Sequence, residues 1–169
     1  FDEKPKNVKG ILNSVKQFLL NNHFAEFIFV GDGKDFKEVY SYAQEIGIIN
    51  QIEFTGIKMG EDLVHEFHKA HAFILFSNYE NQPVVILESL ACGIPVIATK
   101  VGSIPQMIDS ENGILLEPGD ENALLNAMIE IQTNYSNYDP NKISAEVDKK
   151  FGFEGVANHF KSWYESGKF

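Results

Sequence analysis

The sequence predicts an α/β domain built on a doubly wound parallel sheet, a Rossmann-like arrangement. Three observations carry that expectation. Strand-sized apolar runs alternate strictly with segments whose apolar residues fall at helical spacing, a pattern that places parallel strands between helices on both faces, joined by right-handed crossovers. The chain has 169 residues and is 44% hydrophobic, enough for one ordinary core and one domain, residues 1–169. The expected strand ends carry Gly31, Gly56, Ser77 and Thr99, and ligands of such sheets gather at the carboxyl ends of the strands.

Taken in order, Val8, Ile11, Leu12, Val15, Phe18 and Leu19 predict an amphipathic helix over about 7–21, and a strand is expected to precede it, outside this sequence. Residues 26–30 form the first strand present, ending in Gly31-Asp32-Gly33, and Phe36, Val39, Tyr40, Ala43 and Ile46 give the next helix its inner face up to Gly47. A Gly-x-Gly turn suits a phosphate or a ribose, but Phe36 stands where a dinucleotide fingerprint needs a third glycine. Alone it reads first as a tight turn, and a nicotinamide dinucleotide is disfavoured. Residues 52–55 make the second strand, followed by Gly56-Ile57-Lys58, and Leu63, Val64, Phe67 and Ala70 a short helix. His65, His68 and His71 lie three apart, so successive ones swing by about 60° around a helix axis, and no cysteine or carboxylate joins them at ligand spacing. No metal is expected. Strands at 72–76, 95–99 and 114–116 follow, with a helical turn at 104–108. Pro118-Gly119-Asp120 leads into a helix over about 121–133, with Ala123, Leu124, Ala127, Met128 and Ile131 inward. After a polar stretch, closing helices are expected at about 140–151 and 153–165, the second with the apolar stripe Val156, Ala157, Phe160, Trp163 and Tyr164.

The stretch from Ser77 to Pro105 reads as a loop, a helix and a strand. Pro83 fits a first helical turn, where its missing N–H costs nothing, and Gly93 stops the helix. Val84, Val85, Ile86, Leu87, Leu90, Ala91 and Cys92 are apolar on every face, which predicts a buried helix, and Glu88 inside it should then meet a hydrogen-bonding partner. Unpaired N–H groups and aligned peptide dipoles make the Gln82–Val85 turn an anion site. Glu88 lies about 7 Å further along the axis, and Glu80 sits in the loop leading in. A sugar joined through a diphosphate to a ribose could touch all three places.

Glu80, seven intervening residues and Glu88, followed by Ser-Leu-Ala-Cys-Gly-Ile-Pro-Val-Ile-Ala-Thr and Val-Gly-Ser-Ile-Pro, closely resemble the nucleotide-sugar site of family 4 (group 1) glycosyltransferases, retaining enzymes of the GT-B type. Phe29-Val-Gly-Asp-Gly, Ile52-Glu-Phe-Thr-Gly and Gly113-Ile-Leu-Leu-Glu-Pro-Gly-Asp extend the resemblance over nearly the whole chain. It implies that Glu80 contacts the donor sugar, that Glu88 holds ribose hydroxyls, and that the backbone of Asn81, Gln82, Pro83 and Val84 lines sugar and diphosphate. It implies catalytic roles for Glu80 and for Lys6, the lysine at the donor diphosphate, and places Gly31, Gly33, Ile57 and Lys58 around the nucleoside. The chain would be the C-terminal, donor-binding half, its partner the N-terminal acceptor domain, with any peripheral membrane association made through that other half and part of the closing stripe left exposed. The expected reaction moves a hexose-type sugar to a glycan or lipid-linked acceptor, without metal or other cofactor; this half alone should bind donor weakly and not turn over. Asn81-Gln82-Pro83 stands where a Gly-Phe-Gly type turn is frequent, Ser103 where a second glycine is, and Gln106 where a glutamate is common.

A formal charge of −10, with all fourteen basic residues lysine, argues against a nucleic-acid surface. Cys92, the only cysteine, reads as a small buried hydrophobe. No apolar run approaches the roughly 18 residues of a membrane span and no secretory signal is evident, so a cytoplasmic location is expected. Two rival readings are weaker. A phospho-acceptor receiver shares the sheet and Thr99-Lys100, but needs an aspartate where Ser77-Asn78 stand. A hydrolytic carboxylate pair needs both acids facing one cleft about 5 to 10 Å apart, which a sunken Glu88 would not allow.

Overall fold

The computed structural model describes residues 1–166. In chain order they form α1 (Glu3–Lys6), α2 (Val8–Leu19), β1 (Phe27–Val30), α3 (Phe36–Glu45), β2 (Ile52–Gly56), α4 (Glu61–Lys69), β3 (Phe73–Leu75), α5 (Val84–Ala91), β4 (Val96–Thr99), β5 (Gly113–Leu116), α6 (Glu121–Asn134), α7 (Pro140–Phe151) and α8 (Phe153–Glu165). Short 3-10 turns occupy Ile49–Gln51, Ile104–Gln106 and Tyr135–Asn137. The elements expected within the chain are all there, most ends within a residue or two. The short α1 has no counterpart in the periodicity, because four residues are too few to show one.

Every strand pairing is parallel, but the strands fall into two sheets, β1-β2 and β3-β4-β5, where one five-stranded sheet was expected. Among the described residues no ladder joins β1 to β3. Packing joins them instead. Phe29 of β1, Phe76 just past β3, Ile97 of β4 and Leu116 of β5 belong to one apolar cluster with Leu12 and Val15 of α2, Val39 and Ala43 of α3, and Leu124 and Ala127 of α6. On the other side, Val96 and Ala98 meet Ile86 and Leu90 of α5 and Ile143 and Val147 of α7. Alternate residues of β4 thus enter opposite cores, as the two-residue strand period requires, and all four are buried.

Local chemistry sets the later helices. The Asp120 carboxylate accepts from Ala123 N at 2.8 Å to open α6, and Asp139 accepts from Asn141 N at 2.9 Å ahead of Pro140 to open α7. The stripe of α8 stays exposed, Phe160 at 54% and Trp163 at 46%, while the helix packs against α7.

Leu124 is fully buried in the larger cluster. Leu124→Ala should lower unfolding free energy in urea by about 2–5 kcal/mol. Leu20→Ala, at a leucine 59% exposed, should stay within about 0.5 kcal/mol of the parent.

Candidate functional site

Residues 1–7 cross the seam between the two sheets at their carboxyl ends. On one side the Phe1 ring packs against Phe36 and Phe54, its carbonyl accepts from Asp35 N at 3.0 Å, and Glu3 N donates to Asp35 Oδ2 at 2.9 Å. On the other, the Pro5 carbonyl accepts from Asn78 N at 2.7 Å, and the Lys4 carbonyl from Asn78 Nδ2 at 3.0 Å. Asn7 then takes a left-handed conformation, φ 49°, which asparagine tolerates, and turns the chain into α2.

This strap delivers Lys6 to Glu80. Lys6 Nζ donates to Glu80 Oε1 at 2.5 Å, and Ser77 Oγ donates to the same oxygen at 2.7 Å. The Glu80 side chain is only 11% exposed, so a carboxylate there needs such charge-assisted bonds. Ser77 is itself fully buried, and its carbonyl accepts from Thr99 Oγ1 of β4 at 2.5 Å. The two residues expected to be catalytic are therefore in contact, 74 positions apart in sequence. Residue patterns placed Ser77 at a strand end beside the site, but not as the hydroxyl that donates to Glu80.

The loop after Glu80 is pressed against β4's exit. A Cβ on Gly102, φ +55°, would lie 2.1 Å from the Glu80 carbonyl oxygen and 2.7 Å from that of Asn81, so only glycine fits. Pro83 is buried with φ −75° and ψ 100°, at the N-cap rather than in the first turn as expected, and α5 begins at Val84. Its ring therefore fixes the entry to the helix. The Ile86 N–H turns back to the Pro83 carbonyl at 3.1 Å, while those of Val84 and Val85 have no acceptor among the described residues. They form the donor pair at the helix start.

Helix α5 is not apolar-buried on every face, and this corrects the reading of Glu88. Ile86, Ser89 and Leu90 are buried, whereas Val84, at 61%, Glu88 and Ala91 are exposed. These three recur at i, i+4 and i+7 and make one solvent-facing stripe. Valine and alanine on that stripe gave the pattern its all-round apolar look. No hydrogen bond or ion pair holds the Glu88 carboxylate among the described residues. It faces outward, one turn beyond the exposed Val84. One turn further, burial first and the Glu88 charge second push the Cys92 thiol up from its ordinary value.

Gly31 and Gly33 lie at the end of β1, Ile57 and Lys58 beyond β2, and the two ends meet through Gly31 N donating to the Gly56 carbonyl at 2.8 Å. A Cβ on Gly33 would fall 1.9 Å from Phe1 N, so this glycine serves close packing of the strap. Ile57 is 69% exposed. The strap is what ties this group to the Glu80 group. Among the described residues no group of three or more His, Cys, Asp or Glu is placed to hold a metal ion, and no helix is long and apolar enough to cross a membrane. A hollow of about 490 Å³ between α2, α3 and α6, lined by Asn13, Tyr42 and Glu121, contains none of these residues.

Comparison with known proteins gives concordant results. The family described as "Glycosyl transferases group 1" matches residues 2–148. The lipopolysaccharide 1,6-galactosyltransferase of Escherichia coli K12 is 29% identical over 151 residues, covering 87% of this chain and 41% of that one. Two solved structures resemble it: the lipopolysaccharide outer core galactosyltransferase WaaB, TM-score 0.83 at 21% identity over 98% of this chain and 47% of that one, and Anabaena HepE in complex with UDP and glucose, TM-score 0.80 at 21% identity over 95% and 45%. At such identity both show the fold alone. The chain spans less than half the length of the first curated relatives it matches.

Gly102→Ala should destabilise the chain to urea more than Gly119→Ala, since Gly119 also has positive φ but open space around it. The second change carries only the backbone cost, about 1 kcal/mol. Cys92 should react with iodoacetamide at pH 8 more slowly than free cysteine, because a raised pKa leaves less thiolate at that pH. Glu88→Gln should speed the reaction without bringing it to the free-cysteine rate.

Proposed function

We propose, since this chain belongs to the group 1 glycosyltransferases, that it is the donor-binding half of such an enzyme and holds a nucleoside diphosphate sugar along the start of α5. The single observation that supports this most is the exposed Glu88 on α5, one turn beyond the Val84 and Val85 N–H groups that have no acceptor among the described residues, with Glu80 in the loop leading in. Glu80 would orient the hexose with the oxygen that Lys6 and Ser77 leave unengaged. Lys6 and the helix start would take the diphosphate. Glu88 would grip the ribose hydroxyls, Asn81, Gln82 and Pro83 would line the sugar, and Gly31, Gly33, Ile57 and Lys58 would border the nucleoside. An exposed Glu88 suits this role better than the buried one first expected, because it can accept from a ligand without giving up an internal partner.

In the reaction we assign to the family 4 pattern, the bond from the anomeric carbon to the diphosphate oxygen breaks as the acceptor hydroxyl oxygen attacks from the same face, so configuration is retained. The acceptor proton leaves to a base or to the departing diphosphate, and cationic and N–H donors around that diphosphate lower the barrier where negative charge develops. No metal is required for that. The acceptor, a glycan or a lipid-linked saccharide, would be held by an N-terminal domain, and relatives of about twice this length accord with that division. HepE's complex with UDP and glucose makes UDP-glucose a first donor to try.

The carboxylates Glu80 and Glu88 no longer fail as a hydrolytic pair on grounds of burial, but the family match over residues 2–148 favours transfer, and it leaves the signalling-module reading without support.

Calorimetric titration with UDP-glucose, UDP-galactose, GDP-mannose and ADP-glucose should find one that binds. Glu88→Ala should then weaken that binding about tenfold or more, the worth of hydrogen bonds to a charged acceptor, with unfolding free energy unchanged within about 0.5 kcal/mol. Full affinity in Glu88→Ala, or no binding by any of the four, would sink the proposal.

A further inference from the structure

Ser103 stands at the N-cap position of the 3-10 turn Ile104–Gln106 and makes no capping hydrogen bond. A serine there ordinarily accepts from an amide of the turn it opens. Instead its Oγ donates to the Asn81 carbonyl at 2.8 Å, and its N–H donates to the same oxygen at 3.0 Å. Its backbone, φ −87° and ψ 0°, admits any residue, so conformation does not call for serine. What the side chain adds is one hydrogen bond to a loop 22 positions away.

That loop is the one between Glu80 and α5. Both acceptor sites of the Asn81 carbonyl are taken by Ser103, the Asn81 side chain accepts from Tyr79 OH at 2.8 Å, and Gly102 presses on the Glu80 carbonyl. Upstream, the Glu80 carboxylate is fixed by Lys6 and Ser77. Downstream, Pro83 is buried and has no N–H to tie itself with. Asn81 is therefore the point where the loop's backbone is fastened, and Ser103 supplies the fastening.

We infer that Ser103 is a positioning residue that sets the grip on the sugar portion of the donor, acting through the Asn81–Pro83 backbone and leaving the nucleotide portion untouched. This rests on the donor-site reading. Holding the Asn81 carbonyl in place fixes the direction of the Gln82 amide that follows it, and with it the shelf on which a sugar would lie beside Glu80.

The test uses the whole chain with Ser103→Ala and Ser103→Thr. Whichever of UDP-glucose, UDP-galactose, GDP-mannose and ADP-glucose binds the parent is titrated beside its bare nucleoside diphosphate. Ser103→Ala should weaken the sugar nucleotide about fivefold, the equivalent of one net hydrogen bond, and leave the bare diphosphate within twofold. Ser103→Thr, which keeps the hydroxyl, should restore the parent ratio. Amide hydrogen exchange across residues 79–84 should quicken in Ser103→Ala and not in Ser103→Thr. Equal weakening of both ligands, no weakening, or unchanged exchange would overturn the inference while leaving the donor site standing. If no sugar nucleotide binds the parent, the donor reading falls and this role in sugar grip falls with it, and exchange then reports only whether Ser103 fastens the loop.

Discussion

The contact on which this structure turns is the one between Lys6 and Glu80, reinforced by Ser77 on the same carboxylate oxygen. It closes the seam between two sheets that no strand ladder closes among the described residues. The apolar cluster running from Phe29 to Leu116 holds the halves together, but greasy contact is not directional and cannot fix the relative placement of loops to a fraction of an ångström. The strap of residues 1–7 adds the direction. Its backbone is fastened to Asp35 beyond β1 and to Asn78 beyond β3, and its Lys6 side chain meets Glu80 in the loop that follows β3.

From that contact outward, the arrangement is a chain of restraints of decreasing burial. Thr99 holds Ser77, Ser77 and Lys6 hold Glu80, and Gly102 and Ser103 hold the backbone that follows. Pro83 then hands the chain to α5, whose buried face is packed by Ile86 and Leu90 and whose outer stripe carries, at Glu88, a carboxylate with no partner among the described residues. Rigid support grades into groups free to meet a ligand, which is the order a binding site needs. A domain carrying a net charge of −10 would have to hold an anion by local means, through lysines and the amide donors of a helix start.

The sequence was a sound guide wherever one periodic signal decided the matter. Apolar strand runs and helices with a stripe gave the parallel α/β order, and the succession of loop, helix and strand around Pro83 was legible before the fold was in view. It misled at α5 because Val84 and Ala91 are apolar yet face water, so composition suggested burial that the neighbouring elements do not provide. It placed Ser77 at a strand end but not its bond to Glu80, since a serine three residues before an acid shows no such pairing until the fold turns it inward.

What the residues alone determined is therefore the class of fold, the position of the loop and helix, and the identity of the acids, all properties of local spacing and hydrophobicity. What tertiary structure decided is which group faces which: Lys6 against Glu80, Ser103 against Asn81, Glu88 outward, and a sheet split in two. The reason is that such pairings join positions far apart along the chain, 74 residues in the first case and 22 in the second. No short-range periodicity encodes a contact that exists only once separate elements have packed.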